Sequence, residues 1–305
     1  MSALIGPEQL QQELRSGAPL LLDVRWTLAG SDRAGYLAGH LPGAVFCDLD
    51  ADLAGPPGSG GRHPLPERRE LAASFARLGV RPATSVVVYD GGVAAAAARA
   101  WWCLRWIGHQ DVRVLDGGLP AWQAAGGPLE TGDMPPQAAA PARAASTPDP
   151  SIPPHTGAKG APAAVSTEPP SHIGTRSSTM PTRTAEDIVA GHGGVLLDAR
   201  APERFRGEAE PIDPVAGHIP GARSLPTARL LDSEGRYLPG TALRELFAEA
   251  GAVGEQPVAA YCGSGITAAQ LVLAAHEAGI EAALYPGSWS HWITDPDRPV
   301  ATGTA

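Results

Sequence analysis

Apolar residues fall into two spacings along this chain. Consecutive apolar runs, many of them β-branched, at 21–24, 86–89, 112–115, 195–198, 258–261 and 281–285 predict short strands buried on both faces. Between them, apolar positions recur every three or four residues over 67–78, 94–107, 241–250 and 267–278, which predicts helices. Strands alternating with helices predict an α/β fold with a central, mainly parallel sheet flanked by helices on both faces. The stretch 131–180 breaks the rhythm. It is dominated by Pro, Ala, Ser, Thr and Gly and has no apolar period, so it cannot bury enough surface to offset its ordering entropy. It predicts a linker, dividing the chain into units 1–130 and 181–305. A shorter piece, Gly55-Pro56-Pro57-Gly58-Ser59-Gly60-Gly61, predicts a surface loop within the first unit.

The two units repeat each other. Leu20-Leu21-Leu22-Asp23-Val24-Arg25 matches Val195-Leu196-Leu197-Asp198-Ala199-Arg200, and Gly39-His40-Leu41-Pro42-Gly43-Ala44 matches Gly217-His218-Ile219-Pro220-Gly221-Ala222. Val86-Val87-Val88-Tyr89-Asp90-Gly91 matches Val258-Ala259-Ala260-Tyr261-Cys262-Gly263, and Gly117-Gly118-Leu119-Pro120-Ala121-Trp122 matches Gly287-Ser288-Trp289-Ser290-His291-Trp292. Four matches in one order at nearly one offset mean a duplicated domain; the period is far too long for a solenoid.

With 305 residues and 43% hydrophobic content, the chain can build two cores. Its net charge of −9 argues against nucleic acid or an anionic membrane as a partner. No apolar run approaches the ~20 residues needed to span a bilayer, and the first residues lack a signal-peptide pattern. A cytoplasmic protein is the expectation. Three widely spaced cysteines, Cys47, Cys103 and Cys262, form neither a disulfide framework nor a zinc pattern. Cys47 and Cys103 lie among apolar neighbours and are expected to be core residues.

Cys262 is different. It begins Cys262-Gly263-Ser264-Gly265-Ile266-Thr267, a turn between a predicted strand and a predicted helix. Backbone N–H groups converge there and the helix dipole is positive, which stabilises a thiolate and an anionic substrate together. The glycines permit the required curvature.

Taken together, the paired DVR/DAR strand ends, the paired GH(L/I)PGA segments, the cysteine loop and the GGLPAW and GSWSHW segments resemble two-domain rhodanese-type sulfurtransferases. The resemblance implies tandem rhodanese-like domains, the second catalytic and the first, with Asp90 in place of the cysteine, not. It implies transfer of a sulfane sulfur through a Cys262 persulfide to a small thiol, a thioredoxin-like protein or cyanide, with no cofactor or metal. The loop is similar to that of 3-mercaptopyruvate sulfurtransferases, whereas thiosulfate-preferring members place Arg and Lys after the cysteine. The favoured donor is therefore 3-mercaptopyruvate, with thiosulfate as the alternative.

Carried over residue by residue, the resemblance implies that Gly263, Gly265, Ile266 and Thr267 supply the amides around the sulfur. Thr267 is expected to cap the following helix as well. Ser264 is implied as a proton relay to the leaving enolate. His40, oriented by Asp32, is implied to face the cleft from the first domain, while His218 is expected to be structural. Arg204 is implied as the carboxylate-binding arginine, and Arg200 is expected to pair within its domain. One departure stands out. Related enzymes carry a second substrate arginine before the GHIPG segment, whereas Glu210-Pro211-Ile212-Asp213-Pro214-Val215-Ala216 has none. A cysteine-loop phosphatase would need an arginine at Ala268, so that class is disfavoured. A persulfide carrier without turnover stays open, because carriage and catalysis use the same loop.

Overall fold

The computed structural model describes residues 2–17, 19–135, 180–191 and 193–304. The strands of the first half are β1 (Leu4–Ile5), β2 (Leu20–Asp23), β3 (Trp26–Thr27), β4 (Gly30–Ser31), β5 (Val45–Phe46), β6 (Val86–Tyr89) and β7 (Val112–Leu115). They form a parallel sheet in the order β1-β7-β6-β2-β5, with β3 and β4 as a separate antiparallel hairpin. Its helices are α1 (Pro7–Ser16), α2 (Arg33–Ala38), α3 (Leu49–Asp52), α4 (Arg68–Arg77), α5 (Ala95–Trp106) and α6 (Gly118–Ala124). The second half has strands β8 (Val195–Asp198), β9 (Arg223–Ser224), β10 (Val258–Tyr261) and β11 (Ala282–Leu284), parallel in the order β11-β10-β8-β9. Its helices are α7 (Ala185–Val189), α8 (Pro202–Arg206), α9 (Gly240–Glu249), α10 (Thr267–Glu277) and α11 (Ser288–Trp292).

The duplication extends to single bonds. Arg25 pairs with Asp23 at 2.7 Å and donates to the Gly39 carbonyl; Arg200 pairs with Asp198 at 2.7 Å and donates to the Gly217 carbonyl. The Tyr89 hydroxyl accepts from the Leu41 amide, and the Tyr261 hydroxyl from the Ile219 amide. Each bond ties a strand end to the GH(L/I)PG segment itself, so these residues are scaffold.

Both sheets are covered on both faces. Leu21, Tyr89 and Trp122 belong to an outer core in the first half, and Leu196, Tyr261 and Trp289 to one in the second. The inner faces share a single core, because α5 packs against α10 and brings Trp101 and Leu104 into one cluster with Leu271 and Leu273. Burying each such large side chain contributes about 1.5–3 kcal/mol, so the shared core joins the halves strongly. Polar bonds fix their register: the Tyr237 amide donates to Asp116 at 2.9 Å, and the Ala3 amide to Glu277 at 2.6 Å.

Most of the expected linker, 136–179, lies outside the described residues. Its near end is not free of structure: the Gly132 amide donates to the Leu37 carbonyl and the Met134 amide to the Tyr36 hydroxyl. At the far end, Met180 is buried in the shared core. Among the described residues no helix is long and apolar enough to cross a membrane.

Candidate active site

Strand β10 ends at Tyr261 and α10 begins at Thr267, so residues 262–266 make the turn. Its carbonyls are satisfied by the start of α11: the Trp289 amide donates to Cys262 O at 3.0 Å and the Ser290 amide to Gly263 O at 2.9 Å. The Cys262 amide donates to Ser288 Oγ at 3.1 Å, and that hydroxyl donates to the Tyr285 carbonyl at 2.9 Å. Ser288 holds this position at φ 53°, a strained conformation for a residue with a Cβ. Gly265 has φ 85°, and a side chain there would collide with the Pro286 carbonyl, so the turn requires glycine. Its amide donates to Cys262 Sγ at 3.1 Å. Ile266 anchors the turn by burial in the shared core.

Thr267 does not cap α10. The capping position falls on Ile266 with no side-chain bond, and Thr267 is the first helical residue. The uncapped amides of that first turn therefore stay available to an anion.

The histidine at the site is not the expected one. His63 Nδ1 lies 2.8 Å from Ser264 Oγ, and its Nε2 lies 3.4 Å from Asp50 Oδ1. Asp50 is held by the Trp26 indole N–H and the Ser31 amide, each at 3.1 Å. Burial lowers the His63 pKa below its usual value, with the Arg99 and Arg62 charges adding and Asp50 opposing. The imidazole is therefore neutral near pH 7 and able to accept from the Ser264 hydroxyl.

His40 and Asp32, by contrast, serve the scaffold. His40 stacks on Tyr36 and its Nδ1–H donates to the Tyr36 carbonyl at 2.9 Å, while Asp32 caps α2 by accepting from the Gly35 amide. His218 repeats this arrangement on Phe205. The Gly/Pro loop before His63 is likewise more than a surface loop. Gly61 packs against the Gly287 carbonyl and Ser290 of the second half, and the Arg62 amide donates to Ser290 Oγ at 3.1 Å.

Arg204 lies over the cysteine loop, with both terminal nitrogens 3.6 Å from where a Cβ on Gly263 would be. Arg62, from the first half, brings Nη2 to 3.0 Å of that same point. A second arginine is thus present after all, supplied by the other domain. Arg204 is paired with Glu210 at 2.6 Å and with Asp213 at 3.0 Å, and Asp213 also pairs with Arg62. Arg99, fully buried on α5, donates to the carbonyls of Gly265, Leu53 and His63 and so ties the cysteine loop to the histidine loop. Cys47 and Cys103 are buried, and burial pushes both thiols up, so they remain un-ionised packing residues. The position where a phosphatase would need arginine is a fully buried Ala268.

The profile of the rhodanese-like domain matches residues 6–125 and 183–295, one match per half. SseB of Mycobacterium tuberculosis, which carries the name of a thiosulfate sulfurtransferase, is 44% identical over 99% of this chain and 98% of its own. A Pseudomonas aeruginosa relative, carrying the name of a 3-mercaptopyruvate sulfurtransferase, is 42% identical over 98% of each chain. The crystal structure of SseA from Escherichia coli, a 3-mercaptopyruvate sulfotransferase by its title, superposes with a TM-score of 0.72 at 28% identity. It covers 95% of this chain and all of that one. A duplicated parallel-sheet domain, a cysteine loop in the second copy only and full-length likeness to such proteins lead to one assignment: the chain belongs to the rhodanese-like family, as a two-domain sulfurtransferase.

Proposed function

We propose that the protein takes a sulfane sulfur from 3-mercaptopyruvate onto Cys262 and passes it to a thiol or to cyanide. The first half acts without a nucleophile of its own and the second half carries the reaction. Cys262 thiolate attacks the donor sulfur, the C–S bond breaks, and the pyruvate enolate leaves. The proton of the donor thiol ends on the enolate carbon, so the products are pyruvate and an ionised persulfide. Ser264, backed by His63 and Asp50, moves that proton. The Gly265 amide and the first turn of α10 stabilise the negative sulfur. Arg204 orients the donor carboxylate. Cyanide then removes the outer sulfur as thiocyanate and regenerates the thiolate; a thiol removes it as a persulfide.

The observation that carries this reading is the 2.8 Å contact between Ser264 and His63 beside Cys262. A thiosulfate donor releases sulfite and has no carbon to protonate, so the relay favours mercaptopyruvate. The relatives carry both donor names, which makes thiosulfate the second reading. A thioredoxin-like protein is our choice of thiol acceptor, and three free cysteines fit a reducing compartment such as the cytoplasm. The test is a side-by-side kcat/KM for the two donors: a higher value for 3-mercaptopyruvate supports the proposal, and a higher one for thiosulfate overturns the choice of donor.

A further inference from the structure

Two arginines from opposite halves converge beside Cys262, and a single buried carboxylate bridges them. One Asp213 oxygen pairs with Arg62 Nη1 and the other lies 3.0 Å from Arg204 Nη2, while the Asp213 side chain is only 2% exposed. Glu210, 3% exposed, holds the Nε and Nη2 of Arg204. These bonds leave Arg62 Nη2 and Arg204 Nη1 without a partner among the described residues, and both point at the Gly263 side of the cysteine loop. Two guanidinium groups close to one spot suit a single carboxylate there.

Within the ion-pair network beside that spot the charges cancel. Arg62, Arg200 and Arg204 are interleaved with Asp198, Glu210 and Asp213 in one chain of ion pairs. Such a site offers directed donors but little surplus positive charge. Ionising Cys262 makes it negative, and each further unit of charge on a ligand is then penalised in a poorly solvated place. Without Asp213, Arg62 and Arg204 would repel each other across the loop.

We propose that Arg62 is the second donor-binding cation of this site, and that Asp213, by bridging Arg62 to Arg204, restricts the site to donors carrying one negative charge. This rests on the sulfurtransferase reading above. Arg62 touches the donor; Asp213 is a positioning residue that acts through the two arginines. It also explains how a chain without an arginine in 210–216 still presents two guanidinium groups, since the missing one arrives from the other domain on the glycine-rich loop ending at Gly61.

The experiment measures kcat and KM for 3-mercaptopyruvate, a monoanion, and thiosulfate, a dianion, with cyanide as acceptor. The proteins are wild type, Arg62→Gln, Arg62→Lys and Asp213→Asn. We expect Arg62→Gln to raise KM for 3-mercaptopyruvate about tenfold with kcat changed by less than about threefold, and Arg62→Lys to recover part of the loss. We expect Asp213→Asn to shift the ratio of kcat/KM values about tenfold toward thiosulfate. A merely structural aspartate would depress both donors alike and leave the ratio in place. If Asp213→Asn fails to fold, the two variants of Arg62, whose side chain is 32% exposed, decide alone. An unchanged KM in Arg62→Gln, or an unchanged donor ratio in Asp213→Asn, overturns this inference while the sulfurtransferase reading stands. Wild type inactive with both donors would overturn that reading and this inference with it.

Discussion

Ser264 and His63 stand 201 residues apart in the chain, yet Oγ of one lies 2.8 Å from Nδ1 of the other. The contact crosses between the two halves, so the cysteine loop of the second is met by a histidine of the first. His63→Ala should lower kcat for 3-mercaptopyruvate by about 100-fold or more, the usual range for a lost proton relay. Thiosulfate turnover should change far less, because sulfite leaves without a carbon proton. Equal losses for the two donors, measured by initial rates, would rule out the relay.

The pH dependence follows from the lowered pKa of His63. Burial disfavours the imidazolium, so the neutral form persists below the ordinary ~6.5 and is lost only at more acid pH. The mercaptopyruvate kcat should therefore hold from about pH 8 down through 6.5 and fall only at more acid pH. The part of the acid limb due to His63 should vanish in His63→Ala. A His63-dependent fall beginning above pH 7 would contradict the assignment.

Asp90 occupies in the first half the place that Cys262 holds in the second. Its carboxylate accepts from the amides of Gly92 and Ala94 at 2.9 and 3.0 Å and of Ala96 and Ala97 at 3.1 and 3.2 Å. A built-in carboxylate thus fills the turn that, in the other half, surrounds the Cys262 sulfur. Asp90→Ala leaves buried amides without partners and should cost about 2–4 kcal/mol of stability. Urea unfolding would test this, and a loss under about 0.5 kcal/mol would show the cradle to be unimportant.

Arg99 ties the cysteine loop to the segment carrying Leu53 and His63 through three carbonyls. Arg99→Met keeps much of the apolar bulk but abandons those acceptors. It should lower kcat/KM for both donors about tenfold or more and reduce stability by about 2–3 kcal/mol. Unimpaired turnover with either donor would show that the loops need no such brace.

Arg204→Ala should raise KM for 3-mercaptopyruvate about tenfold, with a smaller effect on persulfide transfer to cyanide. An unchanged KM would remove it from the donor site.

What the sequence revealed and what it hid have one physical cause. Residues present in both halves do the same local work twice: Asp23 and Asp198, Arg25 and Arg200, and His40 and His218 each hold a strand end or turn. Duplication made the sheets and helices legible, but it also drew attention to His40, whose role is structural. The first-half residues that reach the cysteine loop follow the hairpin: Asp50 lies on α3, and Arg62 and His63 lie at the end of a glycine- and proline-rich loop. No apolar period announces such a loop, and its contacts with Ser264, Asp213 and Ser290 are long-range. The usable signal was His63 itself, because Arg62-His63 is answered in the second half by Arg236-Tyr237. The glycines were readable because the turn itself constrains them, Gly265 most of all.

The most direct test is the mass of Cys262 after brief exposure to 3-mercaptopyruvate without acceptor. The account predicts a gain of one sulfur atom, about 32 Da, confined to the peptide containing Cys262, removed by cyanide and absent in Cys262→Ser, which should keep its fold. A Cys262 peptide of unchanged mass after exposure to either donor, or equal sulfur loading of the Cys262→Ser protein, would contradict it.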